Sequence, residues 1–293
     1  KSLKIREKIG DRRGQATSLN NIGAVHGRLG DYPQTLEYYA KSLKIYEEIG
    51  AREGQATSLN NIGVVQDTIG DYPKALEYYT KSWKIQEETG DRKGQATSLN
   101  NIGYVHDSLG DYPQALEYYA KSLKIREEIG DREGQTLSLN NIGRIHLDRG
   151  EYDEARLHFT QCEKIAREIG SKEILRRASI SLGELEIGQD SEGCSRQRAR
   201  EYAGQALHLA QDLNSKSGKA EALLLQGRIE KDEDKFKEVL AIFKELKQPL
   251  ETAKACYYYG QALGRLEKTE EAREIFEKLG AKGWLAKIDA NDG

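Results

Sequence analysis

The chain lacks the features that mark several large functional classes. Its three cysteines are odd in number and have no metal-like spacing, so a reducing cytosol is the expected compartment. No apolar run approaches the roughly 18 residues of a membrane span, and the N-terminal residues form no signal-peptide pattern. Lys+Arg 45 against Asp+Glu 48 leaves a net charge of −3, which does not favour nucleic acid, whose binders usually carry a basic stripe. We therefore expect a cytoplasmic protein that binds neither a membrane nor nucleic acid.

What the sequence does contain is one phrase repeated four times at a spacing of 40 residues. GQATSLNNIG begins at Gly14, Gly54 and Gly94, and GQTLSLNNIG begins at Gly134. Gly-Asp-Tyr-Pro or Gly-Glu-Tyr-Asp follows each copy. A period of 20 to 50 residues predicts stacked repeats that offer a long curved surface, rather than one globular core.

Each 40-residue copy predicts a helical hairpin. In Asp11–Gly50, Asp11 is a suitable N-cap, and apolar residues from Leu19 onward recur at helical spacing. Gly30 permits the left-handed turn that ends this first helix. Asp31 then caps a second helix that runs to the end of the copy.

Gly23 stands inside the first helix and recurs at Gly63, Gly103 and Gly143. Because a mid-helix glycine costs about 1 kcal/mol relative to alanine, its recurrence indicates that the two helices cross there without room for a Cβ. The hairpin resembles the tetratricopeptide repeat (TPR) family through Leu19, Ile22-Gly23, Gly30-Asp31-Tyr32, Thr35, Tyr39 and Ser42. The 40-residue length resembles the long-hairpin subtype of kinesin light chain and of the spindle-orientation adaptors with Leu-Gly-Asn repeats.

The resemblance implies an all-α, right-handed α-solenoid of about seven TPR-like helical hairpins with a C-terminal capping helix. We expect residues 1–10 to be the second helix of a truncated preceding repeat, 11–170 to be four near-identical hairpins, 171–280 to be three divergent hairpins with an insertion near 189–197, and 281–293 to be a capping helix and tail. Methionine is absent and the chain starts in mid-repeat, so we expect a longer parent protein. The open start exposes Leu3, Ile5 and Ile9, which would allow head-to-tail self-association.

In this family the first helices line the concave groove, with the residues one, four and five places after the crossing glycine facing it. These positions vary among otherwise near-identical copies: Ala24, Val64, Tyr104 and Arg144; Gly27, Asp67, Asp107 and Leu147; Arg28, Thr68, Ser108 and Asp148. Variation on a constant scaffold is what a non-repeating ligand requires. Faster drift of exposed positions is the alternative interpretation.

A ladder of amides precedes each crossing glycine: Asn20, Asn21, Asn60, Asn61, Asn100, Asn101, Asn140 and Asn141. An asparagine side chain offers two donors and an acceptor, so it can match the backbone of an extended peptide. Resemblance to kinesin light chain implies that the second asparagine of each pair contacts cargo backbone. The alternative is that the amides only bridge adjacent repeats.

No Ser/His/Asp or Cys/His arrangement, phosphate loop or carboxylate pair has a supporting context, so we predict no enzymatic activity and no cofactor. His26, His106 and His146 recur once per repeat, too far apart to share one metal ion, and are interpreted as packed core residues. The leading hypothesis is a scaffold that binds an extended or helical peptide segment of another protein in its concave groove. Near-identical long hairpins also resemble the sensor regions of large prokaryotic signalling proteins. The alternative is therefore such a region, fused to a cyclase, a regulatory ATPase, a transcription activator or a caspase-like protease, and it allows a ligand within the same polypeptide.

Overall fold

The computed structural model describes residues 2–189 and 194–291. Within those ranges the chain forms sixteen α-helices and no strand. It divides into two compact units, unit 1 (Lys1–Ile129) and unit 2 (Gly130–Gly293). The predicted all-α fold of TPR-like hairpins closed by a C-terminal helix is confirmed. The finer division of the hairpins at residue 170 stays a prediction.

Unit 1 consists of one short helix followed by three hairpins. Its helices are α1 (Ser2–Lys8), α2 (Arg12–Arg28), α3 (Tyr32–Glu48), α4 (Arg52–Thr68), α5 (Tyr72–Thr89), α6 (Arg92–Ser108) and α7 (Tyr112–Glu128). The first helices of the three hairpins are α2, α4 and α6. Ile5 and Ile9 on and after α1 are exposed, whereas Leu3 is half-buried; self-association through them stays a prediction.

Unit 2 consists of four hairpins followed by a closing helix. Its helices are α8 (Arg132–Asp148), α9 (Tyr152–Glu168), α10 (Lys172–Gly188), α11 (Cys194–Asp212), α12 (Lys216–Glu230), α13 (Glu233–Glu245), α14 (Pro249–Leu263), α15 (Leu266–Leu279) and α16 (Lys282–Asn291). The first helices are α8, α10, α12 and α14. Of the predicted insertion, residues 190–193 lie outside the described residues, as do residues 292–293 of the predicted tail.

The local signals in the sequence produce these helices as expected. The Asp11 carboxylate accepts a hydrogen bond from the Gly14 N–H at 2.8 Å, and so caps α2. Gly30 has a φ of 77°, a left-handed conformation that glycine adopts without steric cost. Asp31 then caps α3 through the N–H of Gln34 at 3.3 Å.

The crossing glycines lie where the two helices of a hairpin touch. A Cβ added to Gly103 would lie 2.8 Å from the ring of Tyr119, which is fully buried. The same close approach occurs between Gly143 and Phe159, where the distance would be 2.6 Å. The helices therefore meet backbone to ring, as the recurring glycine indicates.

A recurring pair of polar side chains ties each hairpin of unit 1 to the helix before it. In the second hairpin, Gln55 donates from Nε2 to the carbonyl of Tyr46 at 3.1 Å. Arg52 donates to the Gln55 side-chain oxygen at 3.0 Å and also pairs with Glu88 at the far end of its own hairpin. Because Gln55 is buried, this bond satisfies a polar group that would otherwise be costly.

Candidate functional site

The sixteen residues predicted to contact a ligand all lie on first helices: Asn20, Asn21, Ala24 and Arg28 on α2; Asn60, Asn61, Val64 and Asp67 on α4; Asn100, Asn101, Tyr104 and Asp107 on α6; Asn140, Asn141, Arg144 and Asp148 on α8. The residues one, four and five places after each crossing glycine lie on one side of the first helices. We call this side the inner face of each unit.

The first amide of three asparagine pairs, Asn20, Asn60 and Asn140, bridges neighbouring first helices. Asn20 donates to the Ser58 hydroxyl at 3.1 Å. Asn101 donates to the Asn60 side-chain oxygen at 3.0 Å, and the Ser181 hydroxyl donates to Asn140 at 2.8 Å. These bonds give the ladder a scaffold role within each unit. Ligand contact by the ladder stays a prediction.

Two of the second amides remain accessible on the same helices. Asn21 is exposed and Asn61 is half-buried. Their donors and acceptors could meet a peptide backbone without breaking the bridge that the first amide makes.

On the inner face of unit 1, a half-buried carboxylate lies among three tyrosines. Burial raises the pKa of the Tyr72, Tyr79 and Tyr104 phenols, and Asp67 is close enough to each of them to add to that rise. Tyr79 is 2% exposed and Tyr104 is 48% exposed, so the cluster reaches from the core to the surface. The Ser108 side chain is close enough to Tyr72 and Tyr104 to oppose the rise in the pKa of each phenol. We call Asp67, Tyr72, Tyr79 and Tyr104 the tyrosine cluster.

The electrostatics of the tyrosine cluster come from burial rather than from ion pairs. Burial raises the pKa of Asp67 to about 6, because a carboxylate loses its hydration there and gains no compensating cation from the described part of the chain. Burial, and after it the Asp67 charge, raises the pKa of Tyr104 to about 12. All three phenols therefore remain neutral near pH 7, whereas Asp67 titrates close to it.

The position on α2 that corresponds to Asp67 is Gly27, and the residue after it, Arg28, is basic. Arg28 is exposed, and its charge opposes the rise that burial causes in the pKa of Tyr39. Ala24 is half-buried, while Val64, one hairpin later at the same position, is 44% exposed. The inner face of unit 1 thus changes in charge and apolar exposure from one hairpin to the next.

On the inner face of unit 2, three successive first helices contribute one charged side chain each to a single network. The carboxylate of Glu184 accepts from Arg144 at 3.0 Å through one oxygen, and from Arg228 at 3.0 Å through the other. The guanidinium of Arg228 also lies 3.9 Å from the ring centre of Tyr258, a cation–π contact. We call Arg144, Glu184, Arg228 and Tyr258 the arginine cluster.

In the arginine cluster the carboxylate of Glu184 is paired with cations, whereas in the tyrosine cluster Asp67 has no cationic partner among the described residues. Burial alone would raise the pKa of Glu184, but the Arg144 and Arg228 guanidiniums outweigh it, so the pKa is lowered. The Glu184 charge in turn raises the pKa of Arg144. Burial is the main reason that the pKa of Tyr258 is raised. Two cations share one anion, which leaves the cluster with a net positive charge.

The closing helix reaches back to the first hairpin of unit 2. The Lys287 ammonium on α16 lies 3.1 Å from the Asp148 carboxylate at the end of α8. On the same helix, Trp284 stacks on Phe276 with ring centres 5.3 Å apart and meets Tyr258 edge to face at 6.1 Å. The predicted capping role of α16 is confirmed by this packing. In addition, the Lys287 side chain of α16 pairs with Asp148, an acidic residue of the inner face.

Sequence reasoning found Arg144 and Asp148 but missed their partners. Glu184 and Arg228 directly follow Gly183 and Gly227, so the rule of one place after the crossing glycine would have identified both in the divergent hairpins.

The recurring histidines are half-buried and paired rather than fully buried. His146 lies 2.6 Å from a Glu151 carboxylate oxygen, and its ring stacks on His158. Burial and the His146 ring lower the pKa of His158. Among the residues that the structure describes, no three His, Cys, Asp or Glu side chains converge as metal ligands would. Among the described helices, not one has the length and apolar character of a membrane span.

Comparison with protein families and solved structures gives one consistent picture of the fold. A Tetratricopeptide repeat model matches residues 1–88 and 94–168, more than half of the chain, and a second model of that description matches residues 253–279. A Rap protein complexed with Competence and Sporulation Factor has a TM-score of 0.74 and 14% identity over 94% of this chain and 76% of that one. The apo quorum sensor NprR from B. thuringiensis has a TM-score of 0.66 and 14% identity over 94% of this chain and 79% of that one.

A structure of nearly identical TPR-like repeats from a kinesin light chain of Podosopora anserina has a TM-score of 0.55 and 16% identity over 68% of this chain and 95% of that one. At these identities the likeness concerns the fold. A comparison with proteins of curated function gives no match.

Proposed function

The chain belongs to the tetratricopeptide repeat family, and on that premise we propose that it is a non-catalytic interaction scaffold for a peptide segment of another protein. The segment lies along the inner face of the first helices, in contact with the residues that vary among near-identical hairpins. We propose a cytoplasmic location and no cofactor.

The exposure of the variable positions is the observation that carries this proposal. Val64 and Tyr104 are 44% and 48% exposed, whereas Ile62 and Val105 on the same helices are buried. Large apolar side chains left accessible at corresponding positions suit a partner better than they suit water. An aromatic ring with a polar tip, such as Tyr104, is also the kind of side chain that dominates binding energy at interfaces.

The relatives support a peptide as the ligand. The Rap protein is described in complex with Competence and Sporulation Factor, and another Rap regulator is described in complex with the Phr* peptide. The likeness to NprR, described as a quorum sensor, also favours the second candidate function. In that candidate the chain is the sensor region of a larger prokaryotic signalling protein.

Selection from a phage-displayed library of random dodecapeptides tests the proposal directly. The immobilised 293-residue chain should enrich related sequences, and Tyr104→Ala should weaken their binding about tenfold or more. Thr68→Ala is the matched control, since Thr68 occupies a neighbouring variable position with a small side chain, and it should change affinity less than threefold. Absence of any enrichment over the bare support would overturn the proposal.

The asparagine ladder can be assigned by two single substitutions. Asn101→Ala removes the 3.0 Å bond to Asn60 and should lower the melting temperature, whereas Asn61→Ala should weaken peptide binding with little thermal effect. If Asn61→Ala leaves the affinity for selected peptides unchanged, the ladder is a scaffold feature only.

A further inference from the structure

The tyrosine cluster presents a carboxylate that has no cationic partner among the residues the structure describes. Asp67 lies four places after Gly63, on the inner face of α4. Two of the phenols that neighbour it, Tyr72 and Tyr79, are buried, and the third, Tyr104, is accessible. An anion in such surroundings is poorly hydrated, and so attracts an incoming cation more strongly than a surface carboxylate does.

Unit 2 contains an internal example of a filled acidic position. Asp148 lies five places after Gly143, and the chain's own α16 supplies Lys287 to it at 3.1 Å. Lys287 also lies 5.2 Å from the ring centre of Trp284. A lysine presented by a helix, with a carboxylate and an aromatic ring around its ammonium, therefore already occurs on an inner face of this protein.

We propose that the tyrosine cluster binds a lysine or arginine side chain of the partner segment, with Asp67 as its counter-ion and Tyr104 as its aromatic wall. This inference rests on the proposed function, and it names the partner: a basic peptide segment. The charge of Asp67 and the π face of Tyr104 are complementary to the same cation.

The neighbouring charges favour a cation at Asp67. Asp107, four places after Gly103 on α6, adds its negative charge at Tyr104. The packed phenols of Tyr72 and Tyr79 stay neutral because their pKa values are raised. Arg28, the basic residue on the neighbouring first helix α2, acts on Tyr39 rather than on Asp67.

The same phage library, selected in parallel on the wild-type chain and on Asp67→Asn, tests the proposal. Wild-type selections should be enriched in Lys and Arg at one fixed position, and Asp67→Asn selections should retain the other preferences without that one. Glu53→Gln, an exposed carboxylate on the same helix, is the matched control and should select like wild type. Enrichment without a basic position, or an unchanged basic position in Asp67→Asn, would overturn this inference while leaving the proposed function intact; no enrichment at all would remove both.

A double-mutant cycle on the best selected peptide makes the contact quantitative. Asp67→Asn, or replacement of the basic peptide residue by Gln, should each weaken binding about tenfold, and the two together should weaken it hardly further. Independent, multiplying losses would show that the two groups do not meet.

The pH dependence of binding gives a second readout. Because the pKa of Asp67 is about 6, a histidine-free basic peptide should bind wild type roughly tenfold more weakly at pH 5 than at pH 7.5. Asp67→Asn should lose most of this dependence, which separates Asp67 from Asp107. An equal pH dependence in both proteins would contradict the proposal.

Discussion

On the inner face of unit 1, Asp67 lies among tyrosines, whereas on the inner face of unit 2, Glu184 lies between Arg144 and Arg228. Both carboxylates follow a crossing glycine on a first helix, and both have lost much of their hydration. Yet the pKa of Asp67 is raised and the pKa of Glu184 is lowered. The difference shows that the fold sets where each carboxylate lies. The residues around the carboxylate then decide whether its charge stabilises or destabilises the unit.

The substitution with the largest expected effect on stability removes the Glu184 charge. Glu184→Gln leaves Arg144 and Arg228 close together without their shared anion, and Glu184 and Arg228 are only 15% and 18% exposed at their side chains. We expect a loss of about 2–3 kcal/mol in unfolding free energy, below that of a fully buried pair because Arg144 is more accessible. Urea denaturation followed by circular dichroism measures it, with Glu238→Gln, an exposed ion-pair member, as the control. Equal, small effects of both variants would show that the arginine cluster contributes no more than a surface pair.

The crossing glycines provide a second contrast, between the repeated hairpins and one divergent hairpin. Gly103→Ala places a Cβ 2.8 Å from the Tyr119 ring, whereas Gly227→Ala places one at 3.4 Å from Phe236, an ordinary contact. We expect Gly103→Ala to destabilise by about 1–3 kcal/mol through overpacking. Gly227→Ala should stabilise by about 0.5–1 kcal/mol through helix propensity. Thermal and urea unfolding of the pair check this, and a loss of stability in Gly227→Ala would mean that the divergent hairpin is as tightly crossed as the repeated ones.

The repeated hairpins were predictable because their signals are local. Asp11, Gly30 and Asp31 act through hydrogen bonds and backbone conformations within a few residues, so the helix bounds follow from the sequence. Gly103 depends on one partner helix within the same hairpin, and its recurrence reveals the contact. Each of these features requires knowledge of only one 40-residue copy.

The arginine cluster was only half predictable because it joins residues far apart in the chain. Arg144 was identified, and Glu184 and Arg228 could have been, since each follows a recognisable glycine. Tyr258 and Lys287 carry no such signal, because they precede a glycine or stand on the closing helix. Likewise, Asp67 has no cationic partner among residues 2–189 and 194–291 because the fold keeps basic side chains away from it, and no sequence spacing predicts that.

The buried charge of Asp67 lowers the stability of unit 1 by an amount that depends on pH. Its pKa is about 6 in the folded chain against an ordinary 3.8, so between these pH values the folded state binds more protons than the unfolded state. Stability is therefore lost as pH rises from about 3.8 to 6, and the full loss persists above that range. Asp67→Asn should be more stable than wild type by about 1–2 kcal/mol at pH 7.5 and by much less at pH 4.5, as urea titrations at the two pH values would measure. A constant difference across that range would mean that Asp67 titrates normally.

The smallest expected effect belongs to the ion pair between Lys287 and Asp148. Its side chains are partly exposed, so the coupling should be about 0.2–1 kcal/mol and should decrease in high salt. A double-mutant cycle with Lys287→Ala and Asp148→Asn measures it, and a Trp83→Phe background lets the emission of Trp284 report the position of α16. Zero coupling together with an unchanged emission spectrum would show that Asp148 does not retain Lys287. The proposal that Asp67 binds a cation would then lose the comparison within unit 2 that supports it. A measurable coupling would instead show that an acidic position on an inner face retains a lysine in solution, as the tyrosine cluster is proposed to do with a partner's.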